Sequence, residues 1–277
     1  MLRWDSISQW GRRASDLGAT PPVSPTRDLI LEAAIADERV ELLFQPIIAI
    51  GTGRVAGAEA LARSVVAGNG EALFARAGAA ALDERLSRLV QRKALNAAVR
   101  WAGALEDLRI SINLLPADIS RAGYEDWLLD EIDQSGIDPR RITLEITESA
   151  LLADRGSVAR RLSTLRAAGL RIAVDDFGTG YASLSYLTSL PLDMLKIDRG
   201  LIADIAHRDR DRIVVRALVS LARDLGLQVV AEGVETEDQL SLLEEWGCDL
   251  YQGFLGAGPL AREGLADFVA GTQVEQA

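Results

Sequence analysis

Nearly every one of eight short apolar or β-branched runs ends in a carboxylate, amide or ammonium group, and helical stretches separate most of them. The runs are Glu41–Ile50, Arg54–Ala62, Arg109–Leu114, Ile142–Glu148, Arg171–Asp176, Met194–Asp198, Gln228–Glu232 and Leu250–Phe254. The first two are joined only by Gly51-Thr52-Gly53, a link short enough for an antiparallel hairpin alone. Later runs alternate with helical stretches at Ser157–Ala168, Asp209–Leu225 and Glu237–Trp246, and Gly169, Gly226 and Gly247 fall where C-caps belong. Alternation of this length predicts a parallel sheet, and eight strands predict its closure. The expected fold is α/β: a modified TIM (β/α)8 barrel with one antiparallel strand. A chain of 277 residues suits one such barrel.

Parallel barrel strands deliver their C-terminal ends to one face, where barrels of this kind hold their sites. The polar groups expected there are Glu59, Asn113, Glu145 with Glu148, Asp175 with Asp176, Lys196 with Asp198, Glu232 with Glu235, and Gln252. Residues two apart on a strand share a side, so Lys196 and Asp198 can face one pocket, whereas Glu145 and Glu148 differ in parity. So many acids at one mouth repel one another. A hard divalent cation resolves the repulsion, and an all-oxygen ligand set suits magnesium, manganese or calcium. Two such ions with bridging carboxylates suit in-line attack on a phosphodiester. Taken singly, any one of these acids would read as a surface salt bridge or helix cap.

Composition narrows the partners. The net charge is −11, which opposes generic nucleic-acid binding through the phosphate backbone. One cysteine, Cys248, precludes an intrachain disulfide and points to a reducing, cytoplasmic setting, with the thiol a small buried group. The lone His207 reads as solvated surface. Residues 1–27 read as a tail and linker ahead of a domain at 28–277, with Pro21, Pro22 and Pro25 opposing regular structure. Trp4, Ile7 and Trp10 beside Arg3, Arg12 and Arg13 would let residues 1–16 lie on a membrane or a partner, the less favoured reading of that tail.

From Glu41 to Phe268 the chain resembles the EAL domain of cyclic di-GMP phosphodiesterases. The matching segments are FQPI at 44–47, TGRVAGAEALAR at 52–63, Asn113 of SINL, LEITES at 144–149, VDDFGTGYASLSYL at 174–187, LPLDMLKIDR at 190–199, VVAEGVET at 229–236 and GCDLYQGF at 247–254. The resemblance implies hydrolysis of cyclic di-GMP to linear pGpG with two ions per active site, Mg2+ or Mn2+. It implies Glu59, Asn113, Glu145 and Asp175 around one ion, and Asp175, Asp176, Asp198 and Glu232 around the other. Lys196 would steady the attacking water or a phosphate oxygen, with Glu232 a general base. Gln45, Arg63, Glu235 and Gln252 would line the substrate groove. Glu148 would tether the loop Asp175–Ser183, including Phe177, Gly178, Thr179 and Gly180, which couples the metal site to a homodimer contact; Tyr181, Leu184, Tyr186 and Leu187 would supply its apolar surface, or else pack within the barrel's own helix layer.

Two stretches depart from the family pattern. After Arg63 the usual Trp and His-Pro are missing and the connection reads as shortened, and Gly256 stands where an aromatic is usual. These changes motivate an alternative: a cyclic di-GMP receptor or scaffold with little turnover. Receptors of that kind lose metal ligands or the lysine, and this sequence keeps them all.

Overall fold

The computed structural model describes residues 27–64, 67–147, 155–178 and 185–274. Eight strands close into a barrel in sequence order: β1 (Glu41–Ala49), β2 (Val55–Arg63), β3 (Arg109–Leu114), β4 (Ile142–Thr147), β5 (Arg171–Phe177), β6 (Met194–Ile197), β7 (Gln228–Glu232) and β8 (Leu250–Gln252). β1 runs antiparallel to both neighbours, β2 and β8, and every other pair is parallel. The reversal follows from the hairpin, where Gly53 adopts φ 63° and its N–H donates to Ala49 O at 2.7 Å. Glycine reaches that left-handed conformation without a Cβ clash.

The helices are α1 (Leu29–Ala36), α2 (Gly70–Ala79), α3 (Asp83–Val99), α4 (Pro116–Ser120), α5 (Tyr124–Ser135), α6 (Arg155–Ala167), α7 (Ser185–Ser189), α8 (Arg199–Ile202), α9 (Asp209–Asp224), α10 (Glu237–Trp246) and α11 (Arg262–Val274). Strand alternation sets the core. Ile110 and Ile112 of β3, Leu144 and Ile146 of β4, and Ile172 and Val174 of β5 pack in one buried cluster with Leu128 of α5, Leu162 of α6 and Val219 of α9. Each such side chain contributes ~1.5–3 kcal/mol on burial. Inside the barrel, Ile47, Ala173, Met194, Val230 and Leu250 form a separate apolar plug.

Beyond the segment that follows Arg63, the connection to β3 contains two helices, α2 and α3. Asn69 caps α2 by accepting from Ala72 N, and Leu73 and Ala77 of α2 bury against Leu31 and Ile35 of α1 and Leu86 and Val90 of α3. Arg76 of α2 binds Asp28, the N-cap of α1, at 2.6 Å. Several strand ends differ from the periodicity by one or two residues. β6 stops at Ile197 because Asp198 caps α8, accepting from Gly200 N at 2.8 Å, and β8 stops at Gln252. Among the described residues, no helix is long and apolar enough to cross a membrane.

Candidate metal centre and active site

Register brings the polar strand ends level with one another. Gln45 lies opposite Glu59, Asn113 opposite Glu145, and Glu232 opposite Gln252. Asp175 and Asp176 are adjacent, so simple alternation would send one of them out of the barrel. Two features remove that conflict. The β5–β6 ladder shifts register between Val174 and Phe177, and Asp176 takes φ 55°, a left-handed conformation that Asp tolerates better than most residues. One ligand oxygen from each of Asp175, Asp176 and Glu232 then lie within 4.8 Å of one another.

Lys196 stands at the centre. It is fully buried, and its Nζ lies 2.7 Å from Glu232 Oε1, 2.8 Å from Glu145 Oε2, 2.9 Å from Asp175 Oδ1 and 3.5 Å from Glu59 Oε2. Burial opposes the ammonium's charge, but the surrounding carboxylates outweigh it and hold Lys196 well above its usual value. One cation does not satisfy four acids. Burial pushes Glu145 well above the ordinary carboxylate range despite Lys196, and pushes Glu232 up to about 8. Burial, then the charge of Asp175, raises Asp176. Asp175 Oδ1 is buried and makes no hydrogen bond of acceptable angle, although Lys196 sits at ion-pair distance. Surplus negative charge, oxygen-only donors and a poorly satisfied buried oxygen together fit hard divalent cations.

The neutral members hold Glu59 in place. Asn113 Nδ2 donates to Glu59 Oε1 at 2.7 Å, and Gln252 Nε2 donates to Glu59 Oε2 at 2.8 Å and to Gln45 Oε1 at 3.1 Å. Gln45 in turn donates to Ala257 O. Gln45 and Gln252, expected on the groove wall, therefore also position a metal-ligand candidate. Behind Asn113 lies a buried network that sequence reasoning missed. Gln91 Nε2 reaches Asn113 O at 3.4 Å, Tyr124 OH donates to Gln91 Oε1 at 2.8 Å, and Ser87 Oγ donates to Asp118 Oδ2 at 2.5 Å. Its signal was present: Ser87 and Gln91 stand four apart on the buried face of α3, among Leu86, Val90 and Ala94.

The cage opens into a cleft of about 360 Å³ lined by Gln45, Glu59, Arg63, Asp175, Asp176, Asp198, Glu232, Glu235 and Gln252. Phe254, also on the cleft wall, is 71% exposed. Arg63 turns one guanidinium nitrogen back to Ala62 O at 2.9 Å. Phe177 is buried in the core, and Gly178 has φ 107°, where a Cβ would lie 2.3 Å from Leu201 Cδ1. Glu148, Thr179 and Gly180 lie outside the described residues, as do Tyr181 and Leu184 of the expected dimer contact. Cys248 is buried, which pushes its thiol up to about 12, and His207 is exposed.

Comparison with known proteins agrees with a mixed eight-strand barrel that carries a lysine-centred acid cage at its C-terminal mouth. The EAL domain family model matches residues 29–259, and the chain belongs to that family. It is 38% identical over 245 residues to cyclic di-GMP phosphodiesterase NbdA of Pseudomonas aeruginosa, an alignment covering 86% of this chain and 31% of that protein. This chain thus spans about a third of the length of that curated relative. Among solved structures, the PaMucR phosphodiesterase in complex with c-di-GMP superposes with TM-score 0.79 at 36% identity, covering 85% of this chain and 97% of that one. The manganese and cyclic di-GMP complex of Klebsiella pneumoniae BlrP1 superposes with TM-score 0.73 at 33% identity, covering 80% and 56%.

Proposed function

We propose that this chain is a metal-dependent phosphodiesterase that hydrolyses cyclic di-GMP to linear pGpG. The observation that carries the reading is the intact set of Glu59, Asn113, Glu145, Asp175, Asp176, Asp198 and Glu232 around or beside Lys196 in a barrel of this family. Glu59, Asn113, Glu145 and Asp175 would hold one ion; Asp175, Asp176, Asp198 and Glu232 would hold the second. Two magnesium or manganese ions, when bound, supply positive charge to the phosphodiester and ease deprotonation of water.

The chain's own groups do the rest. Attack forms one P–O bond to water and breaks one to a ribose 3′ oxygen, giving a 5′ phosphate. Glu232, beside Lys196 and on the cleft wall, would be ionised once divalent ions are bound and is placed to take the water's proton. The Lys196 ammonium is fixed by packing and stabilises negative charge as it grows on the phosphoryl oxygens. Gln45, Arg63, Glu235 and Gln252 orient the dinucleotide from the cleft wall. The protein acts as a homodimer in the cytoplasm, with Glu148 and the loop containing Thr179 and Gly180 linking the dimer contact to the metal site.

The test is purified protein with cyclic di-GMP and magnesium or manganese, followed by chromatography. Appearance of pGpG supports the enzyme. Tight binding of cyclic di-GMP without pGpG would replace this reading with the receptor.

A further inference from the structure

The opposite end of the barrel carries a second polar site, of inverted charge. Arg109 and Arg171 open β3 and β5, at positions of the same parity as Asn113 and Asp175, and both line a cavity at the N-terminal end of the strands. The apolar plug of Ile47, Ala173, Met194, Val230 and Leu250 lies between this cavity and the acid cage.

Neither arginine has a carboxylate within salt-bridge distance among the described residues, in a protein of net charge −11. Arg109 Nε donates to Arg140 O at 3.4 Å, and Arg171 Nη1 donates to Gln228 Oε1 at 3.1 Å. Their remaining donors have no protein acceptor among the described residues. Burial, then the charge of Arg171, lowers the pKa of Arg109, so the two cations act on each other with no acid to offset them.

Two hydroxyls line the same space. Ser111 is 3% exposed and Thr143 is 2% exposed, and neither side chain has a hydrogen-bond partner among the described residues. Both hydroxyls border the cavity and are free to donate into it. The cavity measures about 40 Å³, while a single water takes ~10–15 Å³ on that measure. That is room for one oxyanion of a few heavy atoms and too little for a nucleoside. Two guanidiniums and two hydroxyls are the donor set that phosphate and sulfate select.

We propose that this cavity binds one small tetrahedral oxyanion, of the inorganic phosphate or sulfate class, held by Arg109, Arg171, Ser111 and Thr143. The bound anion joins the first turns of β3, β4 and β5 across the barrel interior and relieves the repulsion between the arginines. The site is independent of the cyclic dinucleotide reading, since it shares no residue with the acid cage.

The experiment uses the full chain, treated with chelator so that phosphate cannot be captured through metal ions at the acid mouth. Inorganic phosphate is titrated against sodium chloride at equal ionic strength, with melting temperature and calorimetric binding as readouts. Phosphate is expected to raise the melting temperature beyond chloride and to bind with a stoichiometry of one. Arg109→Gln with Arg171→Gln is expected to weaken binding at least ~10-fold, since each substitution removes charge-assisted hydrogen bonds. Ser111→Ala with Thr143→Val keeps both charges and near-equal volume, and is expected to weaken binding by several-fold, so the proposal stays testable if the arginine variant fails to fold. GMP in place of phosphate is expected to give no response. A phosphate effect no larger than that of chloride, an effect unchanged in the variants, or an equal response to GMP would overturn the proposal.

Discussion

Replacing Lys196 with Met keeps an unbranched side chain and removes the one cation in the cage. Nζ makes three contacts at 2.7 to 2.9 Å with Glu232, Glu145 and Asp175 and a fourth at 3.5 Å with Glu59, all out of solvent. Removing one partner of a buried ion pair costs about 3–5 kcal/mol. At ~2–4 °C per kcal/mol for a domain of this size, the metal-free protein should melt ~6–20 °C lower at pH 8. The loss should shrink at pH 5, where the carboxylates can take up protons in place of the missing ammonium. It should shrink again with saturating magnesium, because divalent charge replaces what Lys196 supplied. Turnover should behave otherwise: the metal-loaded variant should remain at least ~100-fold slower in single turnover, the scale of losing one preorganised donor to the transition state. The assay is melting temperature with and without magnesium at both pH values, beside the single-turnover rate on cyclic di-GMP. An unchanged metal-free melting temperature at pH 8 would refute the cage electrostatics. A recovered rate in the metal-loaded variant would remove Lys196 from the chemistry.

Further consequences follow from residues that differ in what they hold. Glu59→Ala should weaken one ion, and excess manganese should restore part of the rate. Asp175→Asn should weaken both ions and respond poorly to manganese; rate against manganese concentration for the two variants separates these, and equal rescue would remove the bridging role from Asp175. Asp28 is held down to about 2, first by its hydrogen bond from Arg76. Its carboxylate therefore adds stability above its ordinary pKa, and that contribution is lost as pH falls from about 4 towards 2. Asp28→Asn should lower the melting temperature at pH 7, with the gap to the unaltered protein closing over that acid window; a gap independent of pH would show that the ion pair contributes nothing.

What could be read from sequence alone was set by how local the signals are. The strands announced themselves through β-branched runs such as Ile110 to Leu114, and the reversed β1 through a link too short for a crossover. Strand parity put Lys196 and Asp198 on one side of β6; Lys196 is buried in the acid cage and Asp198 lines the cleft. Parity could not place Asp175 and Asp176 together, because the left-handed Asp176 and the ladder shift beside it arise from tertiary pairing with β6. The α2 and α3 helices lie where the family motifs lapse, yet their local signals are present: Asn69 offers a capping residue, and Leu86, Val90 and Ala94 carry a helical stripe. The double use of Gln45 and Gln252 was hidden for another reason. Whether an amide faces substrate or a neighbouring carboxylate depends on cross-strand register, and Gln252 is 207 residues from its partner Gln45.

Whether two bound ions drive cyclic di-GMP cleavage can be measured by titrating manganese into chelator-stripped protein and following cleavage at each step. No pGpG is expected in chelator, and the rate should rise with added metal and saturate at two bound ions per chain. Full turnover in excess chelator, or two ions bound with no cleavage, would contradict that expectation.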